Sequence, residues 1–302
     1  EVLDDDATVV LRAVRRAFDF LEFAWDLPRR SPRSPHGTSV LDPHLVVKDL
    51  SDSKRARLFR YLHDRVPREA VEAVAVVPER YARVKEILES VEVFRILERR
   101  LRVSAGRTVT RVEDVACGHG LVAHLVAARF GGSIDVACSD ARERPARSAW
   151  SAAFRAAGSD DERLPRFDAK PVAAVELDAA TALVCVHGCD DVNVEAVEKA
   201  RTARSPWTVV PCCLRARHYL GAGFNLARRP STRSDATPLA DDTRYAFLCG
   251  ALAARYEADR VDMIEPAVTA RSIALSGGWP DEIAAARGDP PTRRSLRSGV
   301  LP

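Results

Sequence analysis

The sequence has few of the features that mark membrane proteins or strong nucleic-acid binders. No apolar run approaches the ~20 residues that a membrane-spanning helix needs. The formal net charge is only +3, which is too small to create the basic field that drives non-specific binding to DNA. We therefore expect no membrane span, and nothing in the sequence indicates a DNA partner.

Cysteines are few and irregularly spaced. The count of seven is odd, and most lie inside apolar runs, so buried thiols are more probable than a disulfide framework. A zinc site made of Cys212, Cys213, His187 and Cys189 is an alternative. Because adjacent residues of a strand point to opposite faces, Cys212 and Cys213 are poorly placed to share one ion. We predict no metal.

Lysine is also scarce: it occurs five times, and the rest of the 46 basic residues are arginine. Arginine suits contacts with phosphate and RNA, although an Arg-rich proteome gives the same bias. The sequence starts at Glu1. If Glu1 is a processed N-terminus, we expect an organelle (plastid or mitochondrion); otherwise we expect the cytoplasm.

Apolar periodicity divides the chain into two regions and a tail. Apolar residues recur at three and four over 1–27 and 45–103, so residues 1–103 are predicted to form roughly four helices, with a Pro-rich linker at 28–43. Beyond Gly106, short apolar runs alternate with helical stretches, as in a parallel sheet with crossover helices. Residues 104–279 are therefore predicted to form an α/β domain, followed by a mobile tail at 280–302.

The predicted elements of the α/β domain follow from these runs. Two late runs are too close to enclose a crossover helix, so we predict an antiparallel pair from them. The predicted strands are 112–116, 134–138, 172–175, 181–186, 207–211, 260–264 and 272–276. The predicted helices are 146–157, 192–203 and 241–257.

The segment between the first two predicted strands indicates a nucleotide-type cofactor. Gly118 and Gly120 lie in a tight strand-to-helix loop, where the missing Cβ lets a ligand approach the backbone. Asp140 ends the second strand, where an acid can accept hydrogen bonds from a ribose. This pattern also fits a relaxed dinucleotide fingerprint, which keeps an NAD-dependent oxidoreductase as an alternative. Asp114, just before the loop, instead suits the ammonium group of S-adenosylmethionine.

Three segments carry a resemblance to a known family. Residues 113–120 (EDVACGHG) resemble the first motif of class I S-adenosylmethionine-dependent methyltransferases. Residues 187–193 (HGCDDVN), 209–213 (VVPCC) and 242–250 (DTRYAFLCG) resemble the subgroup related to the eukaryotic tRNA 2′-O-methyltransferase of the acceptor stem. The resemblance implies a Rossmann-like class I methyltransferase sheet after an N-terminal helical region, S-adenosylmethionine as cofactor, and an RNA or ribonucleoprotein substrate.

The sequence departs from that family in two places. Ala116 stands where the loop usually has its first glycine, and Leu214 and Arg215 follow Cys213 where the tRNA enzyme has two histidines. The Asn/Asp-Pro-Pro-Tyr motif of amino-group methyltransferases is absent as well. A non-catalytic methyltransferase-like subunit of a larger assembly, organellar if Glu1 is processed, is therefore the alternative function. Its partners would be RNA or other proteins of that assembly.

By position, the resemblance assigns two groups of site residues. The predicted cofactor-binding residues are Asp114, Ala116, Gly118, Gly120 and Asp140. The predicted catalytic residues are His187, Cys189 and Asp190. The second group follows the 181–186 strand, and the carboxyl ends of parallel strands face the ligand crevice. His187 or Asp190 would act as a base on a substrate hydroxyl; alternatively, Asp190 would only orient that hydroxyl.

Overall fold

A computed structural model describes residues 24, 26–30, 40–188, 191–212 and 241–280. The N-terminal segment 1–23, the predicted tail beyond 280, Cys189, Asp190 and Cys213 lie outside the described residues. Within the described part, no helix is both long and apolar enough to cross a membrane.

Three helices of the N-terminal region are described: α1 (Asp52–His63), α2 (Arg68–Val76) and α3 (Val84–Ser104). Pro67 directly precedes α2, where a proline restricts the backbone without removing a helical hydrogen bond. α3 is the longest, and buried side chains occur on most of its circumference. A helix that is buried all round is enclosed by other elements.

The ends of the Pro-rich segment at 28–43 pair with each other. Strand β1 (Arg29–Arg30) lies antiparallel to β2 (Val40–Leu41). Leu41 is fully buried, and the Arg29 guanidinium donates a hydrogen bond to the Ala267 carbonyl at 3.1 Å. These described ends are therefore packed against the rest of the protein; residues 31–39 lie outside the description.

Seven strands form one sheet: β3 (Arg111–Val115), β4 (Asp135–Asp140), β5 (Arg166–Ala169), β6 (Thr181–Val186), β7 (Trp207–Val210), β8 (Arg260–Met263) and β9 (Ile273–Gly277). Their order is β5-β4-β3-β6-β7-β9-β8. β3 to β7 run parallel, whereas β9 is antiparallel to both β7 and β8. This order confirms the predicted Rossmann-like class I methyltransferase sheet and its antiparallel final pair.

One predicted strand was wrong. Residues 172–175 do not pair with the sheet; Val172–Ala174 form a 3-10 turn that starts after Pro171. The strand lies earlier, at β5, and it is an edge strand paired only with β4. Its side chains are half-buried or exposed. An edge strand needs no continuous apolar run, so the apolar Val172 and Val175 gave a false signal.

Helices cover both faces of the sheet. The remaining helices are α4 (Leu121–Phe130), α5 (Pro145–Ala156), α6 (Val192–Ala203) and α7 (Asp241–Arg255). α4 and α5 pack on one face, and α2 and α3 pack on them in turn. α6 and α7 cover the opposite face.

Candidate functional site

The loop between β3 and α4 is folded through left-handed backbone conformations. Ala116, Gly118 and Gly120 have φ of 51°, 56° and 68°. The Cys117 N–H donates to the Ser139 carbonyl at 3.0 Å, and the Gly120 N–H donates to the Cys117 carbonyl at 2.8 Å. These bonds hold the loop across the carboxyl ends of β3 and β4.

The two glycines of this loop have different surroundings. A Cβ at Gly118 would meet no atom within 4 Å apart from those of its two chain neighbours. A Cβ at Gly120 would lie 3.1 Å from Cγ of Arg147. Gly118 therefore borders open space that a ligand can enter, whereas Gly120 is required by the turn and by close packing.

Asp140 is bonded to the same loop. Its Oδ2 accepts a hydrogen bond from the Gly118 N–H at 3.1 Å, and its side chain is half-buried at the end of β4. A carboxylate accepts several hydrogen bonds, so Asp140 can hold the loop and still accept bonds from a ligand.

Asp114 is buried beneath the start of α4. Its side chain is 2% exposed and accepts a hydrogen bond from the Ala123 backbone N–H. Burial raises the pKa of Asp114 to about 8, against the lowering effect of the Ala123 bond; the charges of Glu113 and Asp140 raise it further. No described cationic side chain lies beside Asp114 to lower its pKa again. Asp114 is therefore largely protonated at neutral pH.

Cys117 and His119 have partners within the loop and its supports. The Cys117 thiol forms a hydrogen bond with Cys138, and this bond, together with burial, raises the pKa of Cys117. The His119 Nδ1 accepts the Leu121 N–H at 3.1 Å. Burial lowers the pKa of His119. His119 is therefore neutral at the start of α4.

His187 directly follows β6 in a left-handed conformation, with φ of 56°. Its N–H donates to the Val210 carbonyl at 2.9 Å, which anchors it between β6 and β7. Its Nε2 lies 3.3 Å from Oε1 of Glu89 on α3. The Lys85 Nζ donates to that same carboxylate oxygen at 2.6 Å.

The pKa of Glu89 reflects these neighbours. Burial on its own would raise the pKa, but His187 and Lys85 outweigh burial and lower the pKa of Glu89 to about 2. Glu89 is therefore ionised at neutral pH, in contrast to Asp114.

Gly188, directly after His187, is held by a buried amide. Asn193 is fully buried, and its Nδ2 donates to the Gly188 carbonyl. A Cβ at Gly188 would lie 2.5 Å from Sγ of Cys185, so only glycine fits there. These contacts tie Gly188 to α6.

The predicted site residues fall into three sets. Asp114, Gly118, Gly120 and Asp140 meet at the carboxyl ends of β3 and β4, with Ala116 in the same loop. His187 lies at the carboxyl end of β6, which pairs with β3. The predicted catalytic residues Cys189 and Asp190 lie outside the described residues.

Glu89 was not predicted as a site residue. α3 carries nine charged residues among its 21, so the sequence does not indicate which of its acids is buried. The described residues contain no group of His, Cys, Asp and Glu side chains able to hold a metal ion.

A small cleft lies at the other end of the parallel strands, away from the β3–α4 loop. It measures about 360 Å³ and is lined by Thr110, 131–136 and 162–164. Thr110 precedes β3 and Asp135 begins β4, so this cleft is at the amino ends of the strands. It is separate from the site at the carboxyl ends.

Comparison with known proteins adds little beyond the fold. No protein-family model matches the sequence, and no curated protein is significantly similar to it. Magnesium protoporphyrin IX methyltransferase from Synechocystis PCC 6803, solved with bound SAH, is 18% identical, with 64% of this chain and 81% of that chain covered at a TM-score of 0.36. The SAH-bound Podospora anserina methyltransferase PaMTH1 is 14% identical, with 77% and 97% covered at a TM-score of 0.39.

A third structure, an O-methyltransferase family protein from Burkholderia thailandensis, is 17% identical, with 66% of this chain and 61% of that chain covered at a TM-score of 0.33. Similarities at this level carry no argument about function. The fold assignment rests on the strand order of the sheet.

We predict that Ala116→Gly stabilises the protein by about 0.5–1 kcal/mol. A left-handed conformation costs an L-residue about 1–2 kcal/mol, and the extra freedom of glycine in the unfolded chain offsets part of this gain. Urea unfolding checks the value. The control is Ala152→Gly, at an exposed position within α5, which should lower the free energy of unfolding by about 1 kcal/mol. If both variants are less stable than wild type, the backbone at Ala116 is not strained.

Proposed function

We propose that this protein is a methyltransferase that uses S-adenosylmethionine. The observation that carries the proposal is the meeting of three features at one edge of the class I sheet. They are the open space over Gly118, the half-buried carboxylate of Asp140 beside it, and the buried carboxyl of Asp114 without a cation. An adenosine ligand that also carries an ammonium group matches all three.

The residues fit this cofactor by their chemistry. Asp140 is suited to the ribose hydroxyls, and Gly118 allows close contact with the backbone. Asp114 is suited to the ammonium group, because an ionised partner offsets the cost of ionising a buried carboxyl. When bound, S-adenosylmethionine would supply a methyl group on a positively charged sulfur.

His187 is the described candidate on the acceptor side. It follows β6 beside β3, so its backbone starts from the same edge of the sheet as the loop. An imidazole there can take a proton from the acceptor. Support for an RNA or ribonucleoprotein acceptor comes from the sequence resemblance at 187–193, 209–213 and 242–250.

A non-catalytic subunit with the same fold is the second candidate. Ala116 favours it, because the loop keeps a left-handed conformation at this position without the glycine that suits it. Such a subunit would retain the fold but would not need to bind the cofactor. The NAD-dependent alternative is tested in the same binding experiment.

The proposal is tested first by binding. Calorimetry should show binding of S-adenosylhomocysteine and no binding of NAD. Asp140→Ala should weaken the former by about 1–3 kcal/mol, the value of hydrogen bonds to a charged acceptor. Asp135→Ala is the matched control, because Asp135 is the exposed first residue of the same strand. Equal affinity of both variants would contradict the role of Asp140.

We predict that binding releases a proton from Asp114. The pKa of about 8 in the folded protein exceeds the ordinary value, so the unliganded protein holds this proton between about pH 4 and 8. An ammonium group favours ionisation, so affinity should rise with pH, by at most about tenfold per unit below pH 8. Calorimetry at pH 7 in buffers of different ionisation enthalpy counts the protons.

The matched variant for this experiment is Asp114→Asn. It should bind more weakly and release no proton, and its affinity should lose the dependence on pH. As the pH rises from 4 to 8, the unliganded variant should lose less stability than wild type. Over this interval the folded wild type binds a proton at Asp114 that the unfolded chain has lost, and binding that proton becomes less favourable as the pH rises. An equal proton count in both proteins would remove Asp114 from the cofactor site.

Activity is tested by radiolabelled methyl transfer to cellular RNA, cellular protein and small hydroxylated compounds. His187→Ala should lower turnover by roughly 10²–10⁴, the contribution of a general base, while affinity for S-adenosylhomocysteine stays constant. His63→Ala, at the exposed end of α1, is the control. Wild-type protein that binds cofactor but methylates none of these pools would favour the non-catalytic subunit.

A further inference from the structure

A buried carboxylate from the N-terminal region lies against His187. Glu89 is 5% exposed, and its Oε1 lies 3.3 Å from the His187 Nε2. α3 otherwise packs mainly through apolar side chains, among them Ile87, Leu88 and Val91. Because burying a carboxylate is costly unless it is paired, an apolar residue would serve better at this position if packing were its sole role.

Glu92, one turn further along α3, shows what a purely structural buried glutamate looks like here. Its Oε1 accepts hydrogen bonds from the Tyr61 hydroxyl at 2.6 Å and from Arg95 at 3.0 Å. Both partners belong to the N-terminal helices. Glu89 differs, because its contact with His187 joins that region to the carboxyl edge of the sheet.

Among the described residues, one ring nitrogen of His187 has no partner. Its side chain is 26% exposed, yet both ring nitrogens are buried, and among the described residues neither makes a well-aligned hydrogen bond. Nε2 has Glu89 within reach, whereas Nδ1 has no described donor or acceptor. Buried polar atoms without a partner are rare and require an explanation. Left-handed backbone at a residue other than glycine also concentrates at functional sites.

We propose that Glu89 is a positioning residue: its carboxylate, 3.3 Å from the His187 Nε2, favours the proton on that nitrogen and leaves Nδ1 to accept a proton from a hydroxyl acceptor. This inference rests on the proposed function. It assigns the N-terminal helical region a part in the site. Neither Glu89 nor the class of acceptor follows from the sheet alone.

The chemistry requires a neutral imidazole with a fixed tautomer. A neutral ring has one N–H donor and one acceptor nitrogen. As a bond forms between the acceptor oxygen and the methyl carbon, the hydroxyl proton moves to Nδ1. The electron pair of the carbon–sulfur bond stays on sulfur, which becomes a neutral thioether. The Glu89 carboxylate stabilises the resulting imidazolium, as a buried acid does in other acid–histidine pairs.

Among the described residues, charged and titratable groups around this pair come from α3 and from the loop after β3. Lys85 and Glu86 lie on α3 with Glu89, and His119 lies in the loop after β3, where Glu86, Glu89 and His187 all affect its pKa. Lys85 donates to the Glu89 carboxylate at 2.6 Å. This contact favours the ionised form of the Glu89 carboxylate.

The pairing is tested by nitrogen-15 NMR of the histidine rings, which needs neither cofactor nor acceptor. The His187 signals are assigned with His187→Asn. In wild type at neutral pH we expect the proton on Nε2 and none on Nδ1. Glu89→Gln should remove this preference, and Glu92→Gln, the matched buried glutamate, should keep it. If the wild-type ring carries its proton on Nδ1, the proposal is wrong, and this result needs no folded variant. The proposal is also wrong if Glu89→Gln folds and His187 keeps the wild-type tautomer.

Methyl transfer tests the catalytic consequence, with cellular RNA and small phenols and alcohols as separate arms to separate the two sources of hydroxyl. Glu89→Gln should lower kcat by roughly 10–100-fold, less than loss of the base itself, with unchanged affinity for S-adenosylhomocysteine. Wild-type kcat in this variant would overturn the role of Glu89. Methylation confined to amines or thiols would overturn the hydroxyl acceptor. If wild type does not bind S-adenosylhomocysteine, the proposed function is wrong. The NMR experiment is independent of that outcome, because it needs no cofactor.

Discussion

The hydrogen-bonded register of β3 with β4 and β6 is the constraint on which the site depends. Asp114 pairs with Cys138 on one side and with Val184 on the other. Val115 faces the α6 and α7 side, so a slip of one residue would move Asp114 away from α4 and lose its bond to Ala123. Because β3 is enclosed on both edges and both faces, this register is fixed. The loops after β3, β4 and β6 therefore leave the sheet at one edge.

Backbone strain is concentrated at that edge. Of the four described non-glycine residues with positive φ, Ala116 and His187 each follow a central strand. The other two, Arg204 and Glu257, lie where α6 and α7 end, and left-handed conformations are ordinary there. Strained residues persist where neighbouring contacts fix them. Here the Cys117 bond to Ser139 and the His187 bond to Val210 do so.

Local patterns predicted the parts of the structure that local physics determines. The buried strands β4, β6 and β7 contain apolar runs, whereas β3 has only Val112 and Val115 on either side of its two acids. The short gap between β8 and β9 predicted their antiparallel pairing. β5 was missed because an edge strand lacks that signal. The glycine loop and Asp140 could be located because a strand, a turn and an acid follow one another in sequence. Glu89 could not, because only tertiary packing of α3 brings it to His187.

Two buried carboxyl groups of the candidate site differ in their pKa values. Glu89 already has Lys85 and His187 beside it, and the pKa of this glutamate is lowered to about 2. Asp114 has no cation among the described residues, and its pKa is raised to about 8. A cationic group entering the site is therefore stabilised more at Asp114 than at Glu89, where the charge is already balanced. An ammonium-bearing ligand would place that end at Asp114, which leaves the His187 side for the acceptor. The protonation states thus favour one orientation of the ligand along the sheet edge.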